Sequence, residues 1–156
     1  LARALEKMLD SAAALEGTPD YVWQAGTFNG NALACAAGLA TLAELRKPGT
    51  YERLFKTGTC LREGLRAAVS KHGLAAQVSG EPPVFDLFFT DRPIVDYRAT
   101  LTADRDRIKR FNQELVKRGV VKAANKIYVS LAHTDKDVDE TLGIFDQVLA
   151  VLSANP

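Results

Sequence analysis

Residues 74–90 read LAAQVSGEPPVFDLFFT, and the repeat of apolar residues changes here. Upstream of this stretch, apolar residues recur every three or four positions, whereas from Phe85 to Thr90 strongly apolar residues stand at every second position. A period of two predicts a β-strand with one buried face. Gly80-Glu81-Pro82-Pro83 interrupts the apolar run with turn-forming residues. The sequence therefore predicts two strands, Leu74–Ser79 and Phe85–Thr90.

Helices are predicted upstream of these strands. A helical stripe over residues 1–16 stops at Gly17-Thr18-Pro19. Asn31 is placed to cap a second helix that runs to about Lys47, and Thr50 to cap a third that Gly73 closes. The second helix carries small side chains on nearly every side, so we expect other surfaces to pack against it.

Downstream, two more helices flank two further strands. One helix is predicted from Asp104 to Arg118, and a capping box of Thr134 and Asp137 predicts the start of the last one. The apolar stretches Val120-Val121 and Ile127–Leu131 are predicted as strands. The fold class is therefore α+β, with a small, mostly antiparallel sheet covered by helices.

Composition narrows the function classes. The chain has 156 residues, of which 47% are hydrophobic and 25% charged, a composition typical of globular proteins. Its net charge of +1 gives no strong positive electrostatic field that would attract nucleic acid or anionic membranes. No stretch approaches the ~20 apolar residues of a membrane span. Cys35 and Cys60 lack the spacing of metal or redox motifs. We predict a cytoplasmic protein with buried, reduced thiols and neither nucleic-acid nor membrane partners.

One loop has the composition of an anion site. Residues 24–35 read QAGTFNGNALAC, which places Gly26, Thr27 and Phe28 just before a predicted helix. A hydroxyl, backbone N–H groups and a helix N-terminus can together hold a phosphate, and glycine permits its close approach. This composition is more often that of an ordinary turn, so the residues alone favour a turn and leave phosphate binding open as the alternative.

The remaining polar residues predict no catalytic or metal site. His72 ends a helix before Gly73, and His133 precedes the capping box, positions that favour structural roles for both. Six Lys/Arg and three Asp/Glu in Asp104–Arg118 are predicted to form a solvated helix face.

Longer phrases resemble one enzyme family. They are YVWQAGTFNGNALACAAGLATLAELRKPGTYERL (21–54), VFDLFFTDRPIVDYRA (84–99), FNQELVKRGV (111–120) and YVSLAHTDKDVDETL (128–142). In this order they resemble class III pyridoxal-phosphate-dependent aminotransferases, and most of all glutamate-1-semialdehyde 2,1-aminomutases, from about Tyr21 to Leu152. The resemblance implies the C-terminal part of a type I pyridoxal-phosphate fold. Residues 1–30 would end the large-domain region, and residues 31–156 would form the small domain with its leading helices.

The resemblance also implies a role for the loop. Thr27, with Gly26 and Phe28, would contact the phosphate of a pyridoxal 5'-phosphate held by the neighbouring subunit of a homodimer. No residue of this chain matches the motif of the family's cofactor lysine, so the chain contains no catalytic residue by this comparison. Because the chain begins at Leu1 and not at a methionine, we expect it to be a piece of a longer protein.

Three positions depart from the family pattern. Ala32 stands where the family usually has proline, KAANKI (122–127) is shorter than the aminomutase passage, and Tyr128 stands where many transaminases place a carboxylate-binding arginine. The implied reaction, on a small-molecule amino donor or acceptor, is therefore either an aminomutase or a transaminase reaction. The alternative is a non-catalytic interaction or dimerisation domain with the same fold.

Overall fold

The computed structural model describes residues 26–154. The helix predicted over residues 1–16 lies outside this range. The chain divides between Leu45 and Arg46 into two compact units, each described by itself. In the first unit, helix α1 (Ala32–Leu45) follows a turn. The second unit contains α2 (Thr50–Lys71), β1 (Gln77–Glu81), β2 (Val84–Phe88), α3 (Tyr97–Thr100), α4 (Arg105–Lys117), β3 (Ile127–Tyr128) and α5 (Asp135–Ala154).

The second unit is built on a three-stranded sheet in the order β1-β2-β3, and both neighbouring pairs are antiparallel. Val78 of β1 lies opposite Leu87 of β2, and Phe85 of β2 lies opposite Ile127 of β3. The sheet and its helices confirm the predicted α+β class. The two predicted strands around the Gly80–Pro83 turn are confirmed, with their bounds shifted by a few residues.

Helices α2 and α5 pack together, α4 packs on α5, and α2 also contacts β1. Their shared core is apolar, and Phe111 stands in it between Phe89 and Phe145, with ring centroids 6.2 Å from each. The side chains with at most 1% exposure are Leu65, Phe85, Leu87, Phe111, Leu115, Phe145, Val148, Leu149 and Leu152. Phe111 and Leu115 of α4 and Phe145, Leu149 and Leu152 of α5 therefore face this core.

Local hydrogen bonds explain where most helices begin. Asp104 accepts from the backbone N–H of Arg107, and the carboxylate of Asp137 accepts from both the backbone N–H and the hydroxyl of Thr134 at 2.7 Å. The predicted capping box is thus confirmed. The predicted Thr50 cap is wrong by one residue, because Thr50 is already helical and Gly49 occupies the cap position with φ at 80°.

The prediction of four strands is wrong. Val120-Val121 is not a strand, and after it the chain makes only an isolated bridge between Ala123 and Lys126. The predicted strand Ile127–Leu131 contributes two strand residues, and the backbone N–H of Val129 then bonds the carbonyl of Pro83 at 2.9 Å. The ladder ends there because Pro83 has no N–H to donate in return, and a tight turn at 130–133 follows.

Three further features differ from expectation. Helix α3 is short and was not predicted; Asp96 caps it by accepting from Ala99. Helix α1 is exposed from Ala32 to Glu44, since no described residue of its own unit covers it. Both cysteines are free and exposed, because Cys35 lies on α1 and Cys60 lies on the outer side of α2. No helix in 26–154 is long and apolar enough to cross a membrane.

Candidate functional site

The loop before α1 is a compact double turn. The backbone N–H of Asn29 donates to the carbonyl of Gly26 at 3.0 Å, and that of Asn31 donates to the carbonyl of Phe28 at 3.1 Å. Gly30 has φ at 73°, a conformation that glycine adopts without strain. A Cβ atom on Gly26 would lie 2.7 Å from Oδ1 of Asn29. The backbone conformation therefore requires glycine at Gly30, whereas a Cβ atom at Gly26 would meet only the movable amide group of Asn29.

Asn31 joins this turn to the helix. Its Oδ1 accepts from the backbone N–H of Ala34 at 3.0 Å, and its carbonyl accepts from the N–H of Cys35 at 2.9 Å. The predicted cap is thus confirmed. Ala32, where the family usually has proline, occupies the first helical position. Proline is favoured there but not required, so the substitution leaves the local structure intact.

The three predicted site residues, Gly26, Thr27 and Phe28, are contiguous and exposed. Within 26–154, the backbone N–H groups of Thr27 and Phe28 donate to no other residue. No acidic side chain occurs between Gly26 and Ala43, and the turn adjoins the positive end of the α1 dipole. A hydroxyl and unused N–H donors in a neutral loop are the groups that hold a phosphate, so these residues fit the phosphate end of a cofactor.

A buried ion pair in the second unit was not foreseen from the sequence. Nζ of Lys122 lies 3.1 Å from Oδ1 of Asp86, and each side chain is 5% exposed. The same ammonium group donates to the carbonyls of Ala123 and Ala124 at 3.0 and 3.3 Å. Burial raises the pKa of the Asp86 carboxyl, and Lys122 opposes that shift. With three acceptors, Lys122 is a structural cation and not a reactive amine.

Both histidines form structural hydrogen bonds. Nε2 of His72 lies 2.8 Å from Oδ1 of Asp146, whose carboxylate also accepts from Lys71. These hydrogen bonds, that of Lys71 first, lower the pKa of the Asp146 carboxyl. Nδ1 of His133 accepts from the backbone N–H of Ser130 at 3.0 Å, which places the proton of the neutral ring on Nε2. In 26–154, no group of three or more metal-ligating side chains is assembled.

No protein-family model matches the chain. In sequence, it is 40% identical over 124 residues to a glutamate-1-semialdehyde 2,1-aminomutase of Desulfitobacterium hafniense, a match over 78% of this chain and 29% of the relative. In fold, it matches an omega-transaminase of Sphaerobacter thermophilus with a TM-score of 0.76 at 26% identity, over 93% of this chain and 33% of that one. The chain is related to one part of the class III aminotransferases.

A second solved structure names the cofactor. The FumI protein of Sphingopyxis sp. MTA144, solved in its PLP internal aldimine form, matches with a TM-score of 0.65 at 29% identity, over 84% of this chain and 30% of that one. The class III relatives are thus pyridoxal-phosphate enzymes, and the chain spans about 30% of their length. The resemblance seen in the sequence and the assignment of the fold to part of such an enzyme are both confirmed.

Proposed function

We propose that this chain is the C-terminal part of a pyridoxal-phosphate-dependent enzyme that transfers amino groups, and that Gly26, Thr27 and Phe28 bind the cofactor phosphate. The observation that carries the proposal is the exposed turn, with two unused N–H groups and a hydroxyl, directly before a capped helix. Similarity in sequence to an aminomutase and in fold to a pyridoxal-phosphate protein supports the proposal.

Each residue of the turn has a defined task. The hydroxyl of Thr27 donates a hydrogen bond to a phosphate oxygen, and the N–H groups of Thr27 and Phe28 donate two more. Gly26 has no side chain that would obstruct the phosphate, and its carbonyl closes the turn by accepting from the N–H of Asn29. The Asn31 cap holds the turn on α1, whose dipole favours the anion. When bound, pyridoxal phosphate supplies the electron sink for amino-group chemistry.

By this proposal the chain is not catalytic alone. The cofactor lysine belongs to the part of the enzyme outside these residues, and the lysines with defined partners here are structural: Lys71 pairs with Asp146, Lys117 with Glu114, and Lys122 with Asp86. The reaction is either an aminomutase or a transaminase reaction. Similarity to aminomutases in sequence and to transaminases in fold supports both.

We also propose the setting of this part within the enzyme. Residues 1–30 end the large-domain region and residues 31–156 form the small domain. The enzyme is a cytoplasmic homodimer in which the Thr27 loop reaches the cofactor of the neighbouring subunit. Exposed apolar side chains on the loop and on α1 support a covered surface here: Phe28 is 78% exposed, Leu33 80% and Leu39 69%.

A second candidate is a non-catalytic interaction or dimerisation domain of the same fold. The same exposed stripe on α1 favours it, since an apolar helix face can bind a partner without any cofactor. Cofactor binding separates the two candidates, because only the enzyme proposal requires the hydroxyl of Thr27.

The test measures how tightly the whole enzyme retains pyridoxal phosphate, by recording the absorbance of the bound cofactor during dialysis. We expect Thr27→Val to weaken retention about ten-fold or more, as for a lost hydrogen bond to a charged group, and Thr27→Ser to restore it. Thr41→Val is the matched control, because Thr41 bonds only the α1 backbone at Ala37. Unchanged retention in Thr27→Val would contradict the proposed phosphate contact.

A further inference from the structure

One cleft of the second unit is lined by none of the phosphate-loop residues. It has a volume of about 1150 Å³, and its walls are α3, α4, the end of β2 and the turn at 124–126. Its lining combines cations, exposed apolar side chains and an unpaired hydrogen-bond acceptor, and each of these properties restricts what it can bind.

Three cations of the cleft have no salt bridge to another residue of 26–154. Arg105 and Lys109 lie one turn apart on α4, Lys126 lies on the 124–126 turn, and all three are exposed. Of the acidic side chains of the lining, Asp104 caps α4 and keeps its negative charge, and Asp86 pairs with Lys122. The three cations outnumber this one carboxylate, so the cleft is net positive and favours an anionic ligand.

The same cleft presents apolar surface to solvent. Tyr97, Leu101 and Val116 line it with 76%, 46% and 57% of their area exposed. Ile108, half-buried, lies between the two cations on the sequence of α4. A ligand that satisfied only the cations would leave this surface in water, so an occupant with apolar groups of its own is favoured.

Asn112 presents an unpaired hydrogen-bond acceptor in the cleft, which a ligand with a donor group would satisfy. Its Nδ2 donates to the carbonyl of Ala124 at 3.1 Å, which fixes the orientation of the amide. Its Oδ1 is buried and has no partner among the described residues. Buried acceptors are nearly always paired, and the side chain lines the cleft. A backbone N–H group entering the cleft would supply the missing donor.

We propose that this cleft docks a polypeptide segment that carries apolar side chains and carboxylates. A polypeptide offers backbone N–H groups, apolar side chains and separated negative charges together, which a small anion does not. The proposal goes beyond the cofactor role of the Thr27 loop and does not depend on it.

The probe is a short, capped peptide of alternating leucine and glutamate with a fluorescent label. Its binding to the full chain is measured by the fluorescence anisotropy of the peptide and by the amide chemical shifts of the protein. We expect binding, with shifts in residues 101–116 and 124–126, and no binding of the leucine–lysine peptide. The double variant R105E/K109E should weaken binding about ten-fold or more, since like charges then face the ligand. R53E/K56E, with the same charge change on the exposed side of α2, should leave it unchanged.

Several results would overturn the proposal. They are no binding of the acidic peptide, equal binding by R105E/K109E, shifts outside the cleft, and shifts produced at the same residues by inorganic phosphate when the peptide does not bind. The last result would identify a small-anion site, and cleft shifts that appear only as the chain self-associates would likewise count against a peptide. None of these outcomes alters the cofactor retention of the Thr27 variants, so the two proposals fail separately.

Discussion

Asp86 is a carboxylate side chain buried among apolar residues. It lies in the middle of β2, opposite Ser79, with apolar residues on both sides in the chain, and is 3% exposed. A buried carboxylate is tolerated only when a cation and hydrogen bonds replace its water. Lys122, 36 residues further along the chain, provides the cation. Its ammonium group also donates hydrogen bonds to two backbone carbonyl groups.

We predict that Lys122→Met destabilises the fold by about 3–5 kcal/mol at pH 7, the usual cost of leaving one member of a buried ion pair alone. Burial already raises the pKa of Asp86 above its ordinary value of 3.8. Losing Lys122 raises it further. The folded chain then binds the Asp86 proton more tightly than the unfolded chain does. The stability that this proton contributes is fully present below pH 3.8 and is lost as the pH rises through the pKa of Asp86 in the folded chain.

Urea unfolding at several pH values measures this effect. The deficit of Lys122→Met should be largest near pH 7 and shrink toward pH 4. The double variant D86N/K122M serves as the control, because it removes the charge and should recover much of the stability without that pH dependence. A deficit independent of pH would show that Lys122 acts through packing and not through the carboxylate.

Residue-level features were predictable where both partners are close in the chain. Asn31 caps α1 and Thr134 pairs with Asp137 over three residues, so the local sequence specifies both. The Asp86–Lys122 pair was missed because it depends on the tertiary placement of two segments. The only sequence signal was an aspartate inside the apolar run VFDLFF (84–89).

At the scale of elements, the contact of α2 with the turn between β1 and β2 depends on Gly58. A Cβ atom there would lie 2.1 Å from the carbonyl oxygen of Pro82. The helix therefore approaches the turn more closely than any other residue type permits.

We predict that Gly58→Ala lowers the free energy of unfolding by about 1–3 kcal/mol, the usual cost of overpacking, although alanine favours helices. Gly143→Ala in α5 is the control, because a Cβ there meets nothing within 4 Å. That change should stabilise the fold by up to ~1 kcal/mol. Thermal unfolding of the two variants compares them directly, and equal stabilisation by both would refute the close contact.

Strand predictions were less successful than helix predictions for a physical reason. Helices α2, α4 and α5 follow from apolar periodicity within one segment. A strand requires a partner, and Val120-Val121 has none in the described sheet even though its side chains suit one. Helix α3 was missed because its single turn carries no periodic apolar pattern.

At the scale of the whole molecule, the chain corresponds to about a third of its solved relatives. The second unit has its own core, whereas the described part of the first unit leaves the apolar side chains of its loop and helix exposed. The sequence indicated the family and a packed α1, but packing needs a second surface that 26–45 do not contain. We propose that the rest of a dimeric enzyme provides that surface and that the loop binds the cofactor of the partner subunit.

The most direct test of this account is cofactor retention in mixed dimers of the whole enzyme. One subunit carries Thr27→Val and keeps the cofactor lysine, and the other keeps Thr27 and lacks that lysine. If Thr27 acts across the interface, the lysine-bearing site receives a native loop from its partner and should retain pyridoxal phosphate as tightly as the wild type. Retention as weak as in the Thr27→Val homodimer would contradict the account.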